Sequence, residues 1–401
     1  MTIASPRTAS SLAALGMVNA LGRDTGEIWR RLLAADQSHF RLRDDLVPER
    51  RLWIGEVEGE LPRIPARLRR YACRNNALTL AALEQIESVI AEAIAAVGRD
   101  RVGVVMGTST SGVSDAEAAI RHRERTGRLA EEFDYDQLEF GGAAGFIAHL
   151  LEIEGPAYTI STACSSGARS LASARELIDL GICDAVIAGA TDSICGLTAN
   201  GFSALQVVAD GITNPCSANR AGLTLGEGSA IFLVMRGGRG VQLLGVGESS
   251  EAHHMSAPDP AGQGAEQAMS AALRDADMAA SAIAYLNLHG TGTSLNDVME
   301  CAAIGRVFSA LPPCSSTKSL VGHTLGAAGA MEAGFCWLML QAICAGVMPL
   351  IPHAYDGVRD PELVPVSLVT PGQQCPAGPV MTNSFGFGGN NCTLVLASAS
   401  A

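Results

Sequence analysis

No two cysteines of this chain stand at Cys-x-x-Cys spacing, and no Cys/His group has the spacing of a zinc site. A structural zinc centre is therefore not what organises the fold. The eleven cysteines are scattered and odd in number, and no secretory signal peptide is recognisable. Both features point to a reducing, cytoplasmic setting and not to a disulfide framework. Basic residues are also scarce: 28 Lys and Arg against 41 Asp and Glu leave a net charge of −13. That balance argues against bulk binding to nucleic acid or to an anionic membrane surface, and an acidic partner would need a local basic patch. One run, 327–345, is apolar almost all round. It carries Glu332 and Gln341, contains Gly329 and Gly334, and lacks basic flanks. It reads as a helix buried in a large core, with no membrane insertion expected.

What the chain does have is a cysteine placed for chemistry. Residues 157–160 read as a short strand running into a small-residue turn that holds Cys164. Ala168, Leu171, Ala174 and Ile178 then recur at helical spacing, with Gly181 as the stop. Cys164 is thus expected at a helix N-terminus, where unpaired N–H groups and the positive end of the macrodipole favour thiolate. For a cysteine taken alone, a buried structural thiol is the competing reading.

Strand and helix patterns alternate elsewhere. Strands are expected at 12–22, 101–106, 184–190 and 226–235, and helices at 25–35, 77–97 and, charged and exposed, 115–139. The stretch between 36 and 76 reads as loop-rich, with Arg63, Arg67, Arg69, Arg70 and Arg74 near its end. After Arg-Gly-Gly-Arg-Gly at 236–240 the pattern begins again. Strands follow at 241–246, 283–288 and near 317, 380 and 394, with helices at 263–276, 298–308 and 327–345. The segment 159–167 has a counterpart at 314–322, each a short strand, a polar turn and a small-residue helix. Two related α/β halves, 1–240 and 241–401, are expected, with active groups at strand C-termini.

Three further stretches each follow a strand pattern. The first is His-Gly-Thr-Gly-Thr at 289–293. The second runs from Lys318 through Gly-His-Thr-Leu-Gly-Ala-Ala-Gly at 322–329. The third is Asn-Ser-Phe-Gly-Phe-Gly-Gly at 383–389. Singly, each has an ordinary explanation: a hydrogen-bonded histidine, a lysine neutralising a carboxylate, a glycine turn. The glycine loop lacks the Lys of a P-loop and opens no helix. Asp297 and Glu300 could be simple first-turn charges.

Together with Thr-Ala-Cys-Ser-Ser at 162–166, these motifs resemble, in the same order, those of the β-ketoacyl-acyl-carrier-protein synthases of the thiolase superfamily. The resemblance implies a thiolase-like fold, two related βα halves in an α-β-α-β-α stack. It implies Cys164 as acyl-accepting nucleophile, and an oxyanion hole from its N–H and that of Phe387, beside Phe385. His289 and His323 would stabilise the enolate left when a malonyl thioester loses carbon dioxide. Lys318 would set the local electrostatics, paired with Glu300, while Asp297 and Glu332 brace the site. No metal or redox cofactor is implied. The implied partners are an acyl carrier protein bearing acyl and malonyl groups, and a second subunit, identical or a related chain-length factor. The basic segment Arg63, Arg67, Arg69, Arg70 and Arg74 is the expected docking patch for the acidic carrier.

Some positions depart from the family pattern. Arg-Ala-Gly-Leu at 220–223 replaces the commoner Arg-Asp-Gly-Phe. Thr110 stands where an apolar residue often gates the acyl pocket, so that Thr110 is expected to help select the chain. The pattern is similar to ketosynthases of bacterial aryl polyene clusters. Two other readings fit less of the sequence. A thiolase acting on acyl-coenzyme A would need a second catalytic cysteine, and a chain-length-factor-like binding subunit would lack Cys164.

Overall fold

Ten strands carry the architecture, and they form one pattern used twice. The computed structural model describes residues 10–237 and 240–399. In the first half the strands are β1 (Ser10–Asn19), β2 (Val102–Gly107), β3 (Ala157–Ile160), β4 (Ala185–Asp192) and β5 (Gly228–Arg236). In the second they are β6 (Val241–Ser250), β7 (Tyr285–Asn287), β8 (Pro313–Ser315), β9 (Val380–Gly386) and β10 (Asn390–Ser398). The first sheet is ordered β1-β5-β4-β2-β3; the second is β6-β10-β9-β7-β8, extended at its edge by Ser367–Leu368. The pairing senses also correspond. β1/β5 and β5/β4 are antiparallel, as are β6/β10 and β10/β9; β4/β2 and β2/β3 are parallel, as are β9/β7 and β7/β8. The repeat seen between 159–167 and 314–322 falls at equivalent places, since β3 and β8 hold the same position in the two sheets.

Helices fill the space between and outside the sheets. Ser166–Asp179 and Ala328–Gln341 lie in the middle and pack on each other and on both sheets. With a sheet on either side, Ala328–Gln341 has no free face, whereas Ser166–Asp179 leaves Glu176 and Asp179 exposed at its C-terminal end. This explains why Ala328–Gln341 is apolar all round, with Phe335, Met331 and Met339 fully buried. Arg74–Leu83, Glu87–Val97 and Gly142–Leu151 cover the outside of the first sheet, and Gln263–Asp275 and Ser294–Val307 that of the second. The result is the expected five-layer α-β-α-β-α stack. Among the described residues no helix is long and apolar enough to cross a membrane.

The structure corrects several expected elements. Arg41–Val47 and Arg50–Gly55 form a hairpin where a loop-rich stretch was expected. Its charges hid it: Arg43 pairs with Glu56, and Arg41 with Glu58, acids just beyond the end of the second strand. The helix expected at 77–97 starts at Arg74 and breaks into a 3₁₀ turn at Glu84–Ile86. The one expected at 115–139 is a helix at Val113–Thr126, stopped by Gly127 at φ +80°, and a single turn at Tyr135–Leu138. The boundary read at 236–240 falls between β5 and β6; its residues 238 and 239 lie outside the described residues.

Candidate active site

The site lies where the C-terminal ends of the parallel strands of the two halves meet. β3 ends four residues before Cys164, and the Ser166–Asp179 helix begins two residues after it. Between them Ala163 is held at φ +53°, a left-handed conformation costing a β-carbon residue on the order of 1 kcal/mol. Ser166 clamps this turn. Its Oγ accepts the Thr162 N–H at 2.9 Å and donates to the Ala163 carbonyl at 2.6 Å. The C-terminal glycine loop closes over it: a Cβ at Gly386 would meet the Thr162 carbonyl oxygen at 2.9 Å. Glycine there lets the loop approach closely enough for the Phe387 N–H, with the cysteine's own N–H, to be directed at the sulfur.

Cys164, His289 and His323 converge in a cavity of about 110 Å³, also lined by Phe385, Phe387 and Phe202. His323 Nε2 lies 3.1 Å from Cys164 Sγ. The Leu325 N–H donates to His323 Nδ1 at 3.2 Å, which leaves the proton of a neutral ring on Nε2. His289 is held the same way, with the Lys318 ammonium 3.4 Å from its Nδ1. Burial, reinforced by Lys318, holds both imidazoles well below the usual histidine range. Near neutral pH the site therefore presents two uncharged rings, each an N–H donor through Nε2.

Buried carboxylates fix the frame. Glu300 accepts the N–H groups of His289 at 2.8 Å and Gly290 at 2.7 Å, one on each oxygen. Asn383 donates to the same carboxylate at 3.2 Å. Asp297 accepts from the N–H groups of Cys216 and Gly292. Lys318 pairs with Glu332 at 2.5 Å and also donates to the His289 carbonyl. The expected Lys318–Glu300 pair is thus corrected to Lys318–Glu332. Glu300 is occupied by backbone donors, and Glu332, on the central helix, faces the ammonium. Burial raises Glu332 to about 7 against the pull of Lys318.

Residues 12–239 match the beta-ketoacyl synthase N-terminal domain and residues 241–353 its C-terminal domain. The chain belongs to the β-ketoacyl synthase family. The synthase is 34% identical to the mitochondrial 3-oxoacyl-[acyl-carrier-protein] synthase of Arabidopsis thaliana, over 75% of this chain and 69% of that one. It is 29% identical to 3-oxoacyl-[acyl-carrier-protein] synthase 2 of Rhizobium meliloti, over 95% and 96%. Among solved structures it is similar to the ketosynthase ApeO, determined in complex with its chain length factor ApeC from Xenorhabdus doucetiae. That similarity has a TM-score of 0.93, 42% identity and coverage of 98% of both chains. The protein is an acyltransferase of the ketosynthase type with a thiolase-like fold.

Against this frame the expected site residues sort clearly. Cys164, His289, His323, Phe385 and Phe387 line the cavity, and Lys318, Asp297, Glu300 and Glu332 are buried behind it. The expectation of a thiolate-favouring Cys164 is corrected. Burial pushes the resting thiol up to about 11, outweighing Lys318 and the N–H groups aimed at it. Thr110 does not line this cavity; it is fully buried with its hydroxyl turned to Asp192. The arginines do not line it either. Arg74 is half-buried and bound to the fully buried Glu227. Arg67 donates to the carbonyls of His149 and Leu150, and Arg70 pairs with Asp136. Of the five, only Arg63 and Arg69 are exposed without a partner among the described residues. Arg74→Gln should therefore lower stability by about 2 kcal/mol in urea titration, the scale of a lost charged hydrogen bond. An unchanged midpoint would contradict this.

Cys164, His289 and His323 offer three ligand atoms within 4.8 Å of one another, a spacing that could hold a metal. The surroundings do not fit one. Both Nδ1 atoms face donors, so each Nε2 carries a hydrogen, and the Lys318 charge sits beside His289.

Two features escaped the sequence reading. Lys318 is the single lysine of the chain, a signal visible in the sequence once arginine and lysine are counted apart. His353 carries no such signal. It is buried, accepts the Ser316 N–H on Nδ1 at 3.1 Å and donates from Nε2 to the Pro215 carbonyl at 3.0 Å. Burial lowers it from 6.5 to about 4. Between those values the unfolded chain binds a proton at His353 and the folded chain does not, so its contribution is lost as pH falls through that window. Relative to His353→Gln, the native protein should lose about 3 kcal/mol from pH 6.5 to 4, at 1.36 kcal/mol per unit. A pH-independent stability difference between the two proteins would contradict it.

Proposed function

We propose that this synthase extends a carrier-bound acyl chain by decarboxylative condensation, with half 1–240 supplying the nucleophile and half 241–401 the enolate-stabilising groups. The observation that carries this reading is the pair of neutral imidazoles with Nδ1 held by donors and Nε2 turned to the cavity of Cys164. In the first step Cys164 Sγ attacks the thioester carbonyl. The new S–C bond replaces the carrier's, and the thiol proton leaves with the carrier thiol. The N–H groups of Cys164 and Phe387 accommodate the oxyanion. In the second step a malonyl thioester enters, and its carboxylate departs as carbon dioxide, leaving the electron pair as an enolate. Its oxygen is stabilised by the Nε2–H groups of His289 and His323. The enolate carbon attacks the acyl-Cys164 carbonyl, the S–C bond breaks, and the departing cysteine thiolate takes one proton from solvent, which balances the carboxylate charge lost with carbon dioxide. Lys318, screened by Glu332, keeps both rings neutral and aligns His289.

The substrates we infer are acyl and malonyl groups on an acyl carrier protein, supported by the names of the curated relatives. Of the basic segment, Arg63 and Arg69 are the arginines left for such an acidic partner. A related chain-length-factor subunit is the proposed dimer partner, supported by the complex that the 42% identical ketosynthase forms. The likeness to aryl polyene ketosynthases fits a conjugated chain. Eleven unpaired thiols fit a cytoplasmic setting. The test supplies acyl- and malonyl-carrier protein together. A carrier-bound β-ketoacyl product two carbons longer, with one carbon dioxide per turnover, is expected. Hydrolysis to free acid alone would reject the reading.

A further inference from the structure

Asp192, the last residue of β4, is fully buried and outside the cavity described above. Its Oδ1 accepts four hydrogen bonds from the loop after β2: Thr108 Oγ1 at 2.6 Å, the N–H groups of Ser109 and Thr110 at 2.8 Å each, and Thr110 Oγ1 at 2.9 Å. Its Oδ2 accepts the Gly326 N–H at 2.5 Å. Both hydroxyls are committed to it, because Thr108 Oγ1 also accepts the Ser111 N–H and Thr110 Oγ1 the Ser193 N–H. All five contacts donate to the carboxylate, three of them from backbone N–H groups that cannot accept. Burial raises the pKa of the group, and these donors oppose it.

Gly326 belongs to the turn that holds His323. Its neighbour Leu325 supplies the N–H on His323 Nδ1 while sitting at φ +53°, a conformation a leucine keeps only where its surroundings impose it. A Cβ at Gly326 would meet Ser109 Oγ at 2.5 Å and Asp192 Oδ2 at 2.8 Å, so the turn is pressed against the Asp192 cluster. One carboxylate thus ties the strained turn of the histidine to the loop at 108–110.

We propose that Asp192 is a positioning residue for the condensation half-reaction. By binding the Gly326 N–H it keeps the Leu325 N–H on His323 Nδ1, and so keeps the Nε2 proton where the enolate oxygen develops. The inference rests on the two-histidine mechanism proposed above. It also gives Thr110 a different task from the one its position suggested, as part of the clamp and not as a wall of the acyl pocket.

Asp192→Asn has the same size but sets its NH₂ group against an obligate N–H donor in either orientation, Gly326 in one and Ser109 with Thr110 in the other. Two readouts are taken: the ratio of condensation rate to Cys164 acylation rate, and the tautomer of His323 by ¹⁵N-histidine NMR, its signals assigned by their loss in His323→Ala. In the native protein His323 should show unprotonated Nδ1 and protonated Nε2. In Asp192→Asn the ratio should fall about tenfold or more, since one oxyanion donor carries at least that much. The tautomers should also mix. Asp192→Glu, which keeps the charge, should lie between the two in both readouts, and it carries the test alone if Asp192→Asn does not fold. A ratio at the native value, or an unaltered tautomer, overturns the inference. The His323→Ala protein separates the two claims. If it condenses at the native rate, the two-histidine mechanism fails. If it does not, while the Asp192 variants do, only the role of Asp192 fails.

Discussion

Replacing Cys164 by alanine should abolish acyl-enzyme formation and condensation, while carbon dioxide is still released from a malonyl thioester. The two steps draw on different atoms. Acylation needs the sulfur, which alone can hold the acyl group. Decarboxylation needs Nε2–H donors at the enolate oxygen, and both histidines are fixed without help from the cysteine. His289 is held by Lys318 and by Glu300 on its backbone, and His323 by the Leu325 N–H. Intact-protein mass after exposure to acyl-carrier protein should show one added acyl group on the native chain, mapped to the Cys164 peptide, and none on the variant. An equal label on both proteins would refute the assignment. The remaining ten cysteines are poor competitors. Nine are buried or half-buried, and Cys344, although exposed, lies outside the cavity.

His289→Ala and His323→Ala should each reduce condensation by about 10²–10³, the loss typical of one oxyanion donor, or ~3–4 kcal/mol. The double variant should fall by less than the product of the two, because both rings act on one oxygen. The histidines should differ in the first step. His323 Nε2 lies 3.1 Å from Cys164 Sγ, whereas no hydrogen bond joins His289 to the sulfur among the described residues. Acylation should therefore slow more in His323→Ala than in His289→Ala. Single-turnover measurements of acyl-enzyme formation separate this from condensation. Equal acylation rates in the two variants would contradict the geometry.

Much of this site was legible because its chemistry sits in short motifs at strand ends. Cys164, His289, Lys318 and His323 each follow a strand, and a doubly wound arrangement brings such ends together. The duplication was legible too, since 159–167 and 314–322 repeat a strand, a turn and a helix. What the sequence hid was choice among partners. Glu300 and Glu332 are both buried acids near Lys318, and only the fold shows that Glu300 is taken by backbone N–H groups. Arginines in a row look like a basic patch, yet Arg74 turns inward because Glu227, 153 positions away, is buried beside it. The thiol of Cys164 departs from its local reading for a similar reason. Helix position is local and readable, whereas desolvation depends on everything packed around the sulfur, and here it prevails. Asp192 ends a strand, close to where the catalytic groups stand on theirs, but its role depends on a turn 134 residues further along the chain.

The central claim is that two neutral histidines stabilise the enolate independently of the nucleophile. Its most direct test is the rate of labelled carbon dioxide release from malonyl-carrier protein by Cys164→Ala protein, alone and combined with His289→Ala or His323→Ala. The mechanism predicts measurable release from the single variant and a fall of about 10² or more when either histidine is also removed. Equal release from all three proteins would contradict it.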